Sequence, residues 1–234
     1  MQPEKMLLRK GGYFCCEGCY LGEIAVQNNQ RVLDEAYLLL VESLAAALDA
    51  REHETGLHSR RVACHTQVLA RRFTDDSDRL KQIYWGALLH DIGKIAIPDA
   101  ILLKQDKLND DEWRVMRTHP QRGYDIVVAV PFMQEAAQIV LHHEERYDGS
   151  GYPNGLRGES IPWGARLFAV IDALDAMTND RPYRKAMRFD AAKDEIAKLA
   201  GRQFDPQAVE ALLAEESILQ EMVEMKCNLR PDFG

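Results

Sequence analysis

IYWGALLHDIGKIAI, residues 83–97, is apolar at Ile83, Trp85, Ala87, Leu88, Leu89, Ile92, Ile95 and Ile97, yet carries His90, Asp91 and Lys94 in its middle. The apolar residues predict a buried helix over 83–91. Ile97-Pro98-Asp99 predicts its stop, since proline cannot continue a helix. A carboxylate in such a segment is costly to bury unpaired, and coordination to a metal ion is a standard compensation. Lys94 stands four residues after His90 and three after Asp91, so it shares their face if helical geometry survives through Gly93.

Working outward, Leu33, Tyr37, Leu40, Leu44 and Leu48 recur at three- and four-residue spacing, a helical period that begins at Arg31. Residues 60–72 predict another helix, with Val62, Val68 and Leu69 facing inwards. Asn109 with Glu112 three residues later has the spacing of a capping box and opens a helix towards His119. Residues 132–143 are apolar and alanine-rich, again helical. Pro162 opens a helix through Thr178, and Asp205-Pro206 starts a last one with Val209, Leu212, Leu213, Leu219 and Val223 on one stripe. Residues 149–158 hold four glycines and Pro153 and predict a loop. Neither an internal repeat nor an alternating strand pattern is present, so the fold class is all-α. Residues 1–30 form an N-terminal appendage, 31–213 the main domain and 214–234 a helical tail.

The chain of 234 residues can bury a full core as one domain. A formal charge of −8 argues against broad binding to DNA, though bound cations would reverse the field for an anionic substrate. Five cysteines, an odd and sparse set, fit a reducing cytoplasm. Cys16 and Cys19, beside Cys15, have half the spacing of a zinc site, but no second pair follows and they read as inert thiols. No apolar core of signal-peptide length follows Lys5, Arg9 and Lys10, and the apolar stretch 36–48 is interrupted by Glu42 and too short to span a bilayer. The expected location is the cytoplasm, with no membrane contact.

Chemistry-bearing residues recur along this frame. Glu54 and His58 are four apart and share a helix face. His142 and His143 are adjacent at a helix end, where two imidazoles can converge. Asp172 follows Leu167, Phe168, Val170 and Ile171, again an apolar setting. Asp91 is a natural bridge between ions, having two oxygens and standing between the other ligand groups in sequence. Histidine nitrogen with carboxylate oxygen favours iron, manganese, nickel, cobalt or zinc over calcium. Arg181, Arg184 and Lys185 form a basic cluster suited to phosphate. In the glycine-rich loop, Gly151 permits close backbone approach, Tyr152 can stack on a base and Pro153 stiffens the turn.

Five segments stand in one order: ETGLH (54–58), HDIGKIAIPD (90–99), the pair His119-Pro120, HHEERYDGSGYP (142–153) and DALDAMTNDRPYR (172–184). In that order the chain resembles the HD-GYP family, metal-dependent phosphodiesterases that degrade cyclic di-GMP, over about 31–213. The resemblance implies an HD-domain helical bundle with a GYP loop and additional C-terminal helices. It implies His58, His90, Asp91, His119, His142, His143 and Asp172 as metal ligands, with Lys94, Arg181 and Arg184 on phosphate. Members with an acidic residue at the position matching Glu54 can hold a third ion, so two or three divalent ions are expected, iron ahead of manganese. The implied reaction is hydrolysis of cyclic di-GMP to linear pGpG and on to GMP by a hydroxide bridging the metals, with Asp91 and Lys94 central. A homodimer and regulatory partner proteins accompany this reading. The competing readings are a cyclic di-GMP-binding sensor with little turnover and another HD-type nucleotide phosphohydrolase.

Overall fold

The computed structural model describes residues 8–10, 13–15, 17–51, 58–180 and 185–225. Glu54, Arg181, Arg184, Cys16 and Cys227, all named above, lie outside the described residues, and the side chains of Cys15 and Cys19 are likewise outside them. Two compact units divide between Val41 and Glu42. In the first, β1 (Leu8–Lys10) pairs antiparallel with β2 (Tyr13–Cys15), Arg9 opposite Phe14. These short strands carry no alternation long enough to read from sequence. Helix α1 (Glu17–Arg51) starts well ahead of Arg31. No proline interrupts 17–30, so a helix can run through residues that lack an apolar period.

The second unit is helical: α2 (His58–Ala70), α3 (Ser77–Leu88), a 3-10 turn (Ile92–Ala96), α4 (Asp99–Leu102), α5 (Asp110–Met116), α6 (His119–Val127), α7 (Gln134–His142), α8 (Trp163–Thr178), α9 (Phe189–Lys198), α10 (Pro206–Ala214) and α11 (Glu216–Glu224). The helix expected over 83–91 ends at Leu88, and tighter 3-10 geometry carries the chain past Asp91. Asn109 forms the expected capping box with Glu112, its side chain accepting from the Glu112 N–H at 2.9 Å. Asp205 caps α10 by accepting from Gln207 N–H and also pairs with Arg166. The single C-terminal stripe is broken at Glu215 into α10 and α11.

The core is assembled where α3 packs on α2 and α7, α6 on α7 and the 3-10 turn, and α8 on α2. Tyr84, Phe168, Leu69, Ile139 and Leu174 fill it. No helix among the described residues is long and apolar enough to cross a membrane.

Two buried features set this core's tolerance. A Cβ on Gly93 would stand 1.9 Å from His119 O and 2.4 Å from Gly123 N, so the 3-10 turn touches α6 backbone to backbone. Gly93→Ala must push α6 away. It is expected to destabilise the fold by about 1–3 kcal/mol, the cost of overpacking, and to displace His119; a denaturation midpoint equal to wild type would contradict this contact.

His65 is fully buried on α2 with neither ring nitrogen hydrogen-bonded. Burial lowers its pKa to about 4, partly countered by the Asp175 carboxylate. The unfolded chain therefore binds a proton that the folded chain rejects, so the His65 contribution is complete above about pH 6.5 and falls away down to the folded value. Between pH 7 and pH 5 the loss is about 2 kcal/mol. Urea unfolding at the two pH values should show a smaller pH dependence in His65→Leu by that amount; equal dependence would mean the ring is protonated without penalty.

Candidate metal centre

The helices bring the separate sequence segments to one place. His58, at the start of α2, His90, after α3, and Asp172, on α8, place one ligand atom each within 4.8 Å of one another. Asp91, His119 and His143 do the same beside them. The rings form a relay: His58 to His90 centroids at 5.5 Å, His90 to His143 at 5.3 Å and His143 to His119 at 5.1 Å. Phe168 backs His90 at 4.8 Å, which keeps this side of the imidazoles apolar.

Each ring is oriented by its other nitrogen. The Nδ1 atoms of His90, His119 and His143 face the carbonyl oxygens of Ala87, Met116 and Val140 at 2.8, 2.9 and 2.8 Å. A carbonyl only accepts, so Nδ1 carries the hydrogen and Nε2 is left with a lone pair. His58 Nδ1 donates in the same way to Asp175 Oδ2 at 2.7 Å, leaving Nε2 towards Asp172 Oδ1 at 3.5 Å. A ring N–H held by a carboxylate or carbonyl behind it is the arrangement found around metal-ligating histidines.

The donor set fits divalent ions. His119 Nε2 and His143 Nε2 face each other at 3.1 Å, lone pair to lone pair, an unfavourable contact that a shared cation relieves. A proton serves poorly there, because burial lowers His119 to about 4. Asp91 lies between the two groups: Oδ2 is 3.0 Å from His90 Nε2, while Oδ1 is 3.3 Å from His119 Nε2 and 3.6 Å from His143 Nε2. Burial opposes its ionisation, but Lys94, with Nζ 2.7 Å from Oδ2, holds its carboxyl well below the usual range.

His142 stands outside both groups. Its Nδ1 donates to Gln138 O, and its Nε2 accepts from Asn154 Nδ2 at 3.2 Å. His143, the cap residue of α7, keeps helical dihedrals (φ −64, ψ −21). In the loop, a Cβ on Gly151 would meet Arg146 N at 2.3 Å and Glu145 Cα at 2.5 Å, so only glycine fits. The buried Glu145 carboxylate holds the loop from below, accepting from Asn154 N–H and Leu156 N–H at 2.8 and 3.0 Å. Pro153 is exposed, whereas Tyr152 turns inwards, its ring 6.4 Å from that of His119.

Two cavities flank the centre. One of about 540 Å³ is lined by Lys94, Trp113, Arg117, His119 and Tyr152 among others, and one of about 260 Å³ by His143, Asp172, Ala173 and Met177 among others. Glu144 and Arg146 line both. Sequence reasoning missed Asp175, Arg61, Glu144 and Arg146. Arg61 grips Asp175 with Nε at 2.7 Å and Nη2 at 3.1 Å, and both are buried. Asp175 could have been found, for it stands three residues after Asp172 in a stretch, 167–177, that is otherwise apolar.

Residues 42–208, most of the chain, match the sequence model of the HD domain family. The chain belongs to that family. Among similar proteins, a cyclic di-GMP phosphodiesterase response regulator of Xanthomonas campestris is 42% identical over 181 residues, 76% of this chain and 48% of its own. A 3'3'-cGAMP-specific phosphodiesterase of Vibrio cholerae is 40% identical over 176 residues, 74% of this chain and 34% of its own. The chain thus spans about half or less of the length of these relatives. The crystal structure of a cyclic GMP-AMP-specific phosphodiesterase of V. cholerae superposes with a TM-score of 0.62 at 21% identity, covering 82% of this chain and 53% of that one, which shows the shared fold.

Proposed function

We propose that this HD domain is a metal-dependent phosphodiesterase that hydrolyses cyclic di-GMP to linear pGpG and on to GMP. The observation that carries the reading is Asp91, with one oxygen turned to each of two histidine-containing groups, of which His119, His143 and Asp172 line the two cavities. His58, His90 and Asp172 would hold one ion and His119 and His143 another, with Asp91 between; such ions supply a strong oxygen nucleophile from water near neutral pH and stabilise charge on the phosphoryl oxygens. Iron or manganese suits this nitrogen and oxygen set.

The chain's own groups do the rest. Asp175 and the carbonyls behind the rings fix which nitrogen faces the substrate. The Lys94 ammonium, at the edge of the larger cavity, sets a positive charge where the scissile phosphate must lie. Two cavities meeting at Glu144 and Arg146 suit a ligand with two bases joined through phosphates. The names of the relatives support the substrate class. Arg181 and Arg184 are proposed as further phosphate contacts, and Glu54 as the ligand of a third ion favouring the second hydrolysis, both from the family resemblance. An intracellular second messenger as substrate carries with it a cytoplasmic site of action.

The test is incubation of the metal-loaded protein with cyclic di-GMP and, separately, 3'3'-cGAMP, with products separated over time. The proposal expects pGpG to rise and fall as GMP accumulates, faster than any turnover of 3'3'-cGAMP. Tight binding of cyclic di-GMP without cleavage would favour a sensor instead, and faster cleavage of 3'3'-cGAMP would change the substrate.

A further inference from the structure

Helix α5 is secured more firmly than its burial requires. Asn109 and Glu112 close a capping box at its start, and Lys104 Nζ adds bonds of 2.6 and 2.8 Å to the Glu112 carboxylate. Yet α5 buries none of its residues. A helix that gives nothing to the core but is fixed at its start is held for what it presents.

What it presents is Trp113, 45% exposed, and Arg117 one residue past its end. The Arg117 guanidinium carbon stands 5.9 Å from the Trp113 ring centroid and 5.3 Å from that of Tyr152, cation–π range for both. The Tyr152 backbone N–H donates to Glu144 O at 3.2 Å, and its ring meets His119 edge-on, which ties the group to the metal centre. All five residues line the cavity of about 540 Å³, within the usual range for a small-molecule site. That cavity carries Lys94, Arg117 and Arg146 against the single carboxylate of Glu144, on a chain whose formal charge is −8. Aromatic faces, a planar guanidinium and surplus positive charge beside a phosphate-cleaving centre are what a nucleotide needs. The base stacks on rings and guanidinium, whose N–H groups also match the acceptors on a purine edge.

We infer that Trp113 and Arg117, together with Tyr152, form the seat of one nucleobase of the substrate, a recognition surface supplied by α5. This rests on the phosphodiesterase reading and adds to it the residues that distinguish a dinucleotide from a bare phosphodiester.

The test compares cyclic di-GMP with bis(4-nitrophenyl) phosphate, a diester without a purine, in wild type, Trp113→Ala, Trp113→Phe, Arg117→Ala and Arg117→Lys. Metal content is measured in each. The expected result is a KM for cyclic di-GMP raised at least tenfold in both alanine variants, with largely recovered binding in Trp113→Phe, which keeps a ring. The KM for the purine-free diester should rise at least threefold less, with metal content equal to wild type. Wild-type KM values for cyclic di-GMP in both alanine variants, or equal increases for both substrates, would overturn the seat while leaving the proposed activity standing. A wild-type protein that cleaves the purine-free diester but not cyclic di-GMP would overturn the activity and the seat with it.

Discussion

Asp91→Ala is expected to lower cyclic di-GMP turnover by two orders of magnitude or more while the far-ultraviolet circular dichroism spectrum keeps its helical form. The size follows from position. Loss of a partner standing behind a metal ligand costs about 10–100-fold, and Asp91 stands within reach of both histidine groups rather than behind one. The fold survives because Asp91 is not a core-filling residue; its neighbours Leu89 and Ile92 are. Removing the carboxylate also leaves Lys94 without its 2.7 Å partner, so positive charge at the cavity edge is no longer held in register. Normal turnover with normal metal content in this variant would mean that the two groups do not act as one centre.

Asp175→Ala carries the second large effect, on stability as well as activity. Asp175 is buried and binds His58 Nδ1 and both the Nε and Nη2 of Arg61, and it also accepts from Asn179 Nδ2 at 3.0 Å. Truncation strands the buried Arg61 guanidinium, and breaking a buried pair from one side costs about 3–5 kcal/mol. Burial opposes ionisation of Asp175, but His58 and Arg61 hold its carboxyl well below the usual range. Its contribution is therefore complete above about pH 4 and is lost only as pH falls further, so denaturation at pH 7 reads the whole effect. Asp175→Asn keeps the shape but removes the charge and sets a donating NH2 against either His58 Nδ1 or Arg61 Nε. It should weaken metal affinity by about 10–100-fold. Metal affinity equal to wild type in the asparagine variant would reduce Asp175 to a purely structural ion pair.

How much of this was readable in the sequence depends on the range of each interaction. The His90-Asp91 pair announced itself because charge inside an apolar run has few explanations. The Asn109 cap was equally legible, since a capping box is closed by residues three apart. His119-Pro120 misled: it was read as the end of a helix, but proline is tolerated in a first turn, and His119 begins α6. Helix α9 is hard to read because half of its residues are charged, with only Phe189, Ala192 and Ile196 buried. Asp175 is hard to single out because two acidic residues three apart usually mark a solvated face, and its partner Arg61 is 114 residues away in sequence. The meeting of Arg117 with Tyr152 is likewise tertiary, produced by the packing of α6 on α7 and by the loop that Glu145 holds.

The central claim is that two ligand groups hold two ions across Asp91. Elemental analysis of protein purified without oxygen, in wild type, His90→Ala and His119→Ala, tests it most directly. Two groups predict at least two iron or manganese ions per wild-type chain and about one fewer in each variant, since each substitution disables a different group. Fewer than one ion per wild-type chain, with cyclic di-GMP hydrolysis undiminished by a chelator, would contradict it.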